Sequence, residues 1–524
     1  MANDTDFASL AATGAAGREI ELKLCTEPEC LARLLQHPGL TALAAGPPVV
    51  RRQTTTYYDT PDLRLAAKGV AFRVRQEDDG RICQTVKTLN SVAAGDNAAV
   101  AVRREWEWPL PDDNPDFRVL TARGVDQLLP VEALPDLQPI FASEIRRTTL
   151  LVRPDALSAI EVAFDVGVVR CGSRLHPICE IELELRAGAL GPLFDLALEL
   201  QGVVPLRIAA DSKAEIGYRL ATGRPYVTGK SEPMALSPAT GVAEAFRHIV
   251  RHCLRHLLAN EDCALAALTD PTTGDIAAVR YLRHGLRRLR HALMLFAPVI
   301  ASPDAAGFAE QCRMLGRLLA PARDWSMVGP VLRQAGVDVP DGAPIPGADC
   351  LAALEATKRA RAAILAPEFT RLVLACGGWL EQDRWSERAG DELVAKLAQS
   401  ITDYAGPWLD QTFRRVRKVD FVRADPAEVK ELRRRVRHLL YAAEAFRGLY
   451  MPAASRPFLT SLAELRAGLD EVNDLRKVRD LLKTNTARNS ARDARLERAF
   501  REASARLLEA ANRFRDVQPF WKRG

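Results

Sequence analysis

Charged and apolar residues alternate in short runs through the first 220 positions. Residues 19–24 read Glu-Ile-Glu-Leu-Lys-Leu, so charged side chains share one face of a predicted strand and aliphatic side chains the other. The same period recurs in residues 72–75, 103–108, 161–165 and 180–185. One such strand normally turns its charged face to solvent. Because so many strands carry a charged face, we predict a closed antiparallel β-barrel with a polar interior and apolar outer faces covered by helices.

Turn and helix signals divide this region further. Residues 71–75 and 82–87 predict a hairpin, because Asp78-Asp79-Gly80 supplies a turn between them. Short helices are predicted over residues 28–35 and 190–200.

From about Val242 the hydrophobic period changes to 3.6 residues, which is typical of helices. One apolar stripe comprises Val279, Leu282, Leu286, Leu289, Leu293 and Phe296. The same offsets recur 150 residues later in Val429, Leu432, Val436, Leu439, Ala443 and Phe446. The repeat predicts an all-α domain built as a duplicated helical bundle.

The predicted architecture is therefore α+β and multidomain. We expect a flexible leader in residues 1–17, an eight-stranded barrel domain in 18–221 and a linker rich in Pro, Gly, Ser and Thr in 222–240. The helical domain then occupies 241–524, with two repeats offset by about 150 residues.

Composition and charge indicate which ligands and which cellular compartment to expect. Residues 1–220 hold 24 basic and 31 acidic side chains, whereas residues 221–524 hold 48 and 36, so the two parts are expected to meet different ligands. The sequence shows no uncharged apolar run of about 18 residues and no secretory signal, so neither a membrane span nor secretion is expected. The ten cysteines include no Cys-x-x-Cys pair, which favours a reducing cytoplasm over a disulfide framework or zinc ribbon.

The predicted barrel interior needs counter-ions. Two carboxylates ~7 Å apart on one strand face repel by roughly 2 kcal/mol at an effective dielectric constant near 20. A tunnel that holds both a divalent cation and a polyanion would satisfy its acidic and its basic side chains. Oxygen-only ligands favour Mg²⁺ or Mn²⁺ over zinc.

The order of these charged motifs resembles the CYTH, or triphosphate tunnel metalloenzyme, family. The motifs are Glu19-x-Glu21-x-Lys23, Tyr58-Asp59-Thr60, Arg73-x-Arg75, Lys87, Glu105-x-Glu107, Asp165-x-Gly167, Glu180-x-Glu182-x-Glu184 and Ser212-Lys213. A lone Glu-x-Glu-x-Lys is a weak signal, but this ordered set over about 200 residues is specific. The family implies an eight-stranded tunnel that hydrolyses or cyclises triphosphates with a divalent metal.

The resemblance also implies roles for individual residues. The metal would be held by Glu19, Glu21, Asp165, Glu180 and Glu182. The residues that would bind phosphate are Lys23, Arg73, Arg75, Lys87, Arg146 and Lys213. Arg147 is the alternative to Arg146, and the sequence does not choose between them. The catalytic set would be Glu19, Glu21, Lys23, Glu105 and Lys213. For any single arginine the alternative is a structural ion pair with a neighbouring acid.

The polar faces of the two repeated helices are strongly basic. Like charges three or four residues apart destabilise a helix by ~0.2–0.5 kcal/mol per pair. A face that carries this cost favours a polyanion site over a merely solvated face. The pattern resembles the CHAD domain, a histidine-bearing helical domain associated with polyphosphate binding. The implied polyphosphate-binding residues are Arg280, Arg283, Arg287, Arg290, Lys430, Arg433 and Arg437. Arg280 and Lys430 stand where the family usually has histidine, and His248, His252 and His256 are expected to extend the basic face.

The CYTH–CHAD order resembles bacterial inorganic triphosphatases. We therefore expect hydrolysis of tripolyphosphate to pyrophosphate and phosphate with Mg²⁺ or Mn²⁺, and long-chain polyphosphate as a partner of the helical domain. The alternatives are hydrolysis or cyclisation of an organic triphosphate such as thiamine triphosphate or ATP, and a non-catalytic polyphosphate-binding protein. Nucleic acid is disfavoured because aromatic residues do not interleave with the basic ones. The expected location is the cytoplasm, where the protein could associate with polyphosphate granules.

Overall fold

A computed structural model describes residues 17–89, 99–117, 131–230, 234, 236–300, 302–339, 349–387, 390–418, 426–485 and 489–522. Most of the predicted leader, residues 1–17, lies outside these residues. The chain forms two compact units. The first, the barrel unit, contains residues 1–225 and 366–382. The second, the helical unit, contains residues 226–365 and 383–524.

The barrel unit is built on antiparallel strands. These are β1 (Gly17–Cys25), β2 (Val49–Asp59), β3 (Val70–Glu77), β4 (Ile82–Thr88), β5 (Val100–Pro109), β6 (Gln138–Val152), β7 (Ala159–Cys171), β8 (Arg174–Ala187) and β9 (Arg207–Ile208). The sheet runs β5-β4-β3-β2-β6-β7-β8-β1, and β5 pairs back with β1. Eight strands therefore close into the predicted barrel, and the short β9 adds to β1.

The helices of the barrel unit lie between and after these strands. They are α1 (Pro28–Leu35), α2 (Pro38–Leu43), α3 (Arg64–Ala67), α4 (Gly191–Val203), α5 (Lys213–Thr222) and, from much later in the chain, α12 (Pro367–Glu381). The predicted helix over 28–35 and the predicted hairpin are confirmed, and Gly80 takes the positive φ of 86° that its turn requires.

The two faces of the barrel strands differ as the alternation predicts. The outward Leu22 and Leu24 are fully buried, while Glu21 and Lys23 face the interior and are also buried. Trp108 packs outside against Phe72, as expected from its parity in β5.

Part of the barrel interior is apolar, which the sequence did not predict. Phe141, Ile145 and Val169 turn inward and pack against Ile216 and Tyr218 of α5. Gly217 is required there, because an added Cβ would lie 2.0 Å from the Phe141 ring. Ser212 caps α5 with a capping box and so fixes where Lys213, at the first turn, enters the interior. Helix α5 thus fills one part of the barrel and leaves the remainder to charged side chains.

The helical unit contains no strand among the described residues. Its helices are α6 (Val242–Thr269), α7 (Ala277–Leu295), α8 (Asp304–Leu318), α9 (Ala320–Ser326), α10 (Val328–Gln334), α11 (Asp349–Leu365), α13 (Asp391–Ala398), α14 (Ile401–Arg417), α15 (Pro426–Phe446), α16 (Pro452–Asn485) and α17 (Ser490–Asp516). The predicted stripes on α7 and α15 are buried, apart from the half-buried Val429. The repeat also brings Arg323 of α9 onto Asp474 of α16, 2.6 Å away.

The predicted domain boundaries differ from this division in one segment. Helix α12 packs against α4 of the barrel unit, where Gln201 Nε2 donates to the Pro367 carbonyl at 2.6 Å. The sequence places α12 within the predicted helical domain, 241–524. Its apolar composition marks it as buried but does not identify the helix it packs against.

The helical segment Leu351–Glu381 is long and apolar enough to cross a membrane by length and composition. However, 67% of its most apolar window is buried inside the protein, as in the core helix of many proteins without a membrane span. The expected absence of a membrane partner stays a prediction.

Candidate active site and basic cleft

An acidic cluster lies where β7 and β8 face the barrel interior. Asp165, Glu180 and Glu182 place carboxylate oxygens within 4.8 Å of one another. Lys213 Nζ contacts all three, at 2.6 Å from Asp165 and 2.9 Å from Glu182, with Glu180 also in contact. The β7–β8 register, which pairs Asp165 with Glu180, explains why the cluster forms.

A second charged cluster lies on β1, β4 and β5. Arg103 Nη1 donates to Glu21 Oε1 at 2.6 Å, and Lys87 forms an ion pair with Glu19. Lys23 lies 3.8 Å from Glu21 and 3.4 Å from Glu182, so it connects this cluster to the acids on β8. We refer to the interior that contains both clusters as the tunnel.

The tunnel arginines on β3 differ in their partners. Arg73 Nη2 donates to Glu105 at 3.1 Å. Arg75 forms no ion pair with any residue that the structure describes, and its Nε is buried without a hydrogen-bond partner there. The Nε of Arg73 is likewise buried without a hydrogen-bond partner among the described residues. A buried guanidinium nitrogen without a partner is costly, and a bound anion would remove that cost.

Arg147, rather than Arg146, is the β6 cation that faces the tunnel. Its Nε donates to Asp165 at 2.7 Å, and its Nη2 lies 2.5 Å from both Asp165 and Glu182. Arg146 is exposed on the opposite face. The assignment of Arg146 to phosphate binding is therefore wrong in its placement, because alternate residues of a strand point to opposite faces.

Cations in the tunnel are stabilised in their charged forms. Burial alone would lower the pKa of Lys23, Lys87 and Lys213, but the adjacent carboxylates outweigh burial and raise all three. The same balance raises the pKa of Arg73 and Arg147.

The carboxylates divide into two groups. Burial would raise the pKa of Glu21, but Lys23, Lys87 and Arg103 lower it to about 2. In contrast, burial and repulsion from Glu21 raise the pKa of Glu19 to about 7, and burial with repulsion from Glu19 and Glu161 raises that of Glu184 to about 8. For Glu19 and Glu184, burial and neighbouring carboxylates thus disfavour the ionised form more than the nearby cations favour it.

These residues fit a divalent metal. All candidate donors are carboxylate oxygens, the ligands that Mg²⁺ and Mn²⁺ prefer. Of the predicted ligands, the structure brings Asp165, Glu180 and Glu182 into one cluster, although Lys213 and Arg147 already neutralise much of its charge. Burial raises the pKa of Glu180 in this cluster, as it does for Glu19 and Glu184, so acids in both parts of the tunnel are open to a cation.

Two further tunnel residues were missed as site residues: Arg103 and Glu184. Arg103 lies two residues from Glu105 and therefore on the same strand face, and Glu184 completes the Glu-x-Glu-x-Glu run. The strand period of two could thus have identified both.

Only some residues of the predicted basic face of the helical unit line one common cleft. Arg280, Arg283, Arg287, Arg433 and Arg437 line one cleft together with Arg323 and Lys477. We call this the basic cleft. Lys430 is exposed and Arg290 lies elsewhere on α7, so neither lines it. Helical period gives the face of a residue but not how far a cleft extends along the axis.

Seven cationic side chains of the basic cleft meet three carboxylates, because Asp324 and Asp470 line the cleft and Asp474 pairs with Arg323. Asp470 pairs with Arg433 at 2.6 Å and with Arg437 at 2.8 Å. Burial and repulsion from Arg287 lower the pKa of Arg283 to about 9, and burial with repulsion from Arg437 lowers that of Arg287 to about 10. The cleft therefore holds positive charge in excess.

Histidines do not extend this basic surface, contrary to the expectation for His248, His252 and His256. Burial and Arg288 lower the pKa of His252 and His256 to about 4, and burial with Arg255 lowers that of His248. All three imidazoles are therefore neutral near pH 7.

Two known domain models match the chain. The CYTH domain model matches residues 17–218, and the CHAD domain model matches residues 248–483. The barrel part of the chain thus matches the CYTH domain and the helical part matches the CHAD domain.

Individual relatives match parts of the chain. An inorganic triphosphatase from Haemophilus influenzae is 36% identical over 212 residues, which are 39% of this chain and 55% of that protein. The match thus spans about half the length of this curated relative. A CHAD domain from the plant Ricinus communis is 24% identical, with a TM-score of 0.42, over 55% of this chain and 97% of that one. An adenylyl cyclase candidate from Hippeastrum, described with a dominant triphosphatase activity, is 19% identical, with a TM-score of 0.28, over 38% and 95%.

Proposed function

We propose that the tunnel is the active site of a metal-dependent inorganic triphosphatase, which hydrolyses tripolyphosphate to pyrophosphate and phosphate. The observation that carries this proposal is Arg75, a half-buried cation whose buried Nε has no hydrogen-bond partner among the described residues. It lies in a tunnel that also holds Lys23, Arg73, Lys87, Arg147 and Lys213. The inorganic triphosphatase relative supports it.

In this proposal the tunnel cations bind and orient the phosphate chain. Arg75 needs no rearrangement to do so, whereas Arg73 would exchange Glu105 for phosphate oxygens. Glu19, Glu21, Asp165, Glu180 and Glu182, with Glu184, would hold Mg²⁺ or Mn²⁺, which supplies charge neutralisation and a more acidic bound water. Glu105, freed from Arg73, could accept a proton from the attacking water. Phosphoryl transfer depends mainly on such positioning and charge compensation.

Aromatic packing favours an inorganic substrate over ATP or thiamine triphosphate. Tyr57 and Phe141 stack on each other inside the barrel with ring centroids 4.5 Å apart, and Tyr218 packs edge-on against Phe141 at 5.0 Å. These rings thus already pack on one another, which leaves less aromatic surface for a base or thiazole among the described tunnel residues.

The test is phosphate release from tripolyphosphate, ATP and thiamine triphosphate with Mg²⁺, with Mn²⁺ and with chelator. We expect metal-dependent turnover that is fastest with tripolyphosphate. Equal or faster turnover of ATP would contradict the inorganic assignment, and turnover that persists in chelator would contradict the metal.

We also propose that the basic cleft binds long-chain polyphosphate. Its excess of cations over carboxylates and the lowered pKa values of Arg283 and Arg287 support an anion as the missing partner. A cytoplasmic location follows from neither domain and stays a prediction.

A further inference from the structure

The helical unit contains a second cavity, of about 340 Å³, outside the basic cleft. It is formed by α7, α14 and α15, and none of its lining residues belongs to the set predicted for polyphosphate. Its volume falls in the range of small-molecule sites. We call it the aromatic cavity and define it by His291, Trp408, Arg415, Arg434, Arg435 and His438.

One wall of the aromatic cavity consists of rings. The His291 and His438 imidazoles lie 4.7 Å apart between centroids, and the Trp408 indole meets His291 edge-on at 5.4 Å. Trp408 and His438 are only half-buried, so their rings are in part open to the cavity. Planar rings in this arrangement favour a flat aromatic ligand.

His291 is the polar group that lacks a partner. Its side chain is 4% exposed, and neither ring nitrogen has a hydrogen-bond partner among the residues that the structure describes. Burial and the adjacent His438 hold the pKa of His291 well below its usual range, so the ring is neutral and offers one donor and one acceptor. Buried polar groups are normally satisfied, which indicates that something with polar edges belongs beside this ring.

The rim of the cavity is cationic. Arg415, Arg434 and Arg435 face a single carboxylate, Glu431, which lies 2.6 Å from Arg434 and 2.9 Å from Arg435. Arg415 has no ion pair within the described part of the chain. This surplus of positive charge disfavours a metal at the histidine pair and favours an anion.

We propose that the aromatic cavity binds a mononucleotide, whose base packs on Trp408 and His438 and is hydrogen-bonded by His291, while its phosphate is held by Arg415 and Arg434. This ligand combines the flat ring with polar edges and the negative charge that the two walls require. The site is separate from the proposed polyphosphate cleft, because the two share no lining residue.

The test is equilibrium binding of AMP to the full-length protein in the presence of saturating tripolyphosphate, which occupies the tunnel and the basic cleft. We expect one AMP per chain. Trp408→Ala should weaken binding by about tenfold or more, since base stacking on an aromatic side chain is a large term. Arg415→Ala should also weaken it, whereas the adjacent Arg414→Ala should not, because Arg414 is also exposed but pairs with Asp410 and does not line the cavity.

Adenosine and inorganic phosphate are the companion probes, and both should bind more weakly than AMP. The proposal is overturned if AMP fails to bind at millimolar concentration or is displaced by tripolyphosphate. It is equally overturned if the folded Trp408→Ala and Arg415→Ala variants bind AMP like wild type, or if inorganic phosphate binds as tightly as AMP. Binding of Ni²⁺ or Zn²⁺ that depends on His291 and His438, without AMP binding, would assign the cavity to a metal instead.

Discussion

The tunnel and the basic cleft both collect arginines, yet their electrostatics are opposite. In the tunnel, carboxylates on other strands raise the pKa of Lys87 and Arg147 above its usual range despite burial. In the cleft, burial and like charges lower the pKa of Arg283, Arg287 and Arg433. The tunnel is thus largely compensated by its own acids, whereas the cleft is not.

Secondary structure explains the difference. Alternate residues on eight closed strands bring acids and bases from different strands face to face, as Lys23 and Glu182 show in adjacent strands. A helix instead stacks residues of its own sequence at three- and four-residue spacing, so Arg283 and Arg287 lie together. The tunnel should therefore depend on individual partners and the cleft on total charge.

The largest effect is expected on turnover. Glu21→Gln or Glu182→Gln removes one partner from a compensated set and a proposed metal ligand, so tripolyphosphate hydrolysis should fall by at least about a hundredfold. The triple variant Arg283→Glu, Arg287→Glu, Arg433→Glu should retain turnover, because a short substrate needs only the tunnel cations. Phosphate release measures both; near-normal turnover in either glutamine variant at saturating Mg²⁺ would mean that the active site is misplaced.

The adjacent Arg146 and Arg147 on β6 provide a second test of how far the tunnel depends on individual partners. Arg147→Ala should lower kcat/KM strongly, since it leaves Asp165 and Glu182 without their guanidinium, while Arg146→Ala on the outer face should leave it nearly unchanged. Steady-state kinetics of the two variants, with thermal unfolding as a check of folding, decide the point. Equal losses in both would contradict the placement of Arg147 in the tunnel.

Sequence periodicity predicted the barrel, its charged face and both helical stripes, because burial follows a period of two or 3.6 residues regardless of distant partners. It could not choose between Arg146 and Arg147. The inward residues before Arg147 are Phe141, Ser143 and Ile145, which read like an outer apolar face because α5 fills that part of the barrel. Tertiary packing, not local pattern, decides which side of β6 is inside.

The helical part shows a similar limit. Arg290 shares the helical face of Arg283 and Arg287, but the cleft ends before it, since the neighbouring α14 and α15 contribute Trp408 and His438 at that level. Asp324 and Asp474 stand 150 residues apart, at the offset of the repeat, but the pattern does not show that Arg323 pairs with Asp474.

An intermediate effect is expected on polyphosphate binding. Because the cleft carries an uncompensated charge, raising salt from 50 to 200 mM should weaken binding of long-chain polyphosphate by about a hundredfold. Arg283→Glu with Arg287→Glu should weaken binding and flatten the salt slope, and adding Arg433→Glu should do so further.

Titration of the full-length chain with labelled polyphosphate measures this, with Arg513→Glu as a control at an exposed arginine paired with Glu464. The full chain is preferred over residues 241–524, because α12 packs in the barrel unit. Equal affinity in the triple variant and wild type would mean that the arginines form only a solvated face.

The smallest effect is expected on thermal stability, through the tunnel acids that lack full compensation. The folded-state pKa values of Glu19 and Glu184, about 7 and about 8, lie above the usual 4.5 of a glutamate. Ionising these side chains therefore costs folding free energy as the pH rises from about 4.5 to about 8. The stability that their protonation contributes is complete below about pH 4.5 and is lost as the pH rises through about 8. A metal binds the ionised forms, so its stabilising effect should grow over the same range.

Differential scanning calorimetry with and without Mg²⁺ at pH 6 and pH 8 tests this. We expect a rise in Tm of about 5 °C at pH 8, as for a ligand near 100 times its Kd, and a much smaller rise at pH 6. Glu184→Gln should reduce the difference between the two pH values, whereas Glu144→Gln, at an exposed glutamate on the outer face of β6, should not. An Mg²⁺ effect on Tm that is as large at pH 6 as at pH 8 would show that the metal does not compensate Glu19 and Glu184, and the tunnel would then be charge-matched without it.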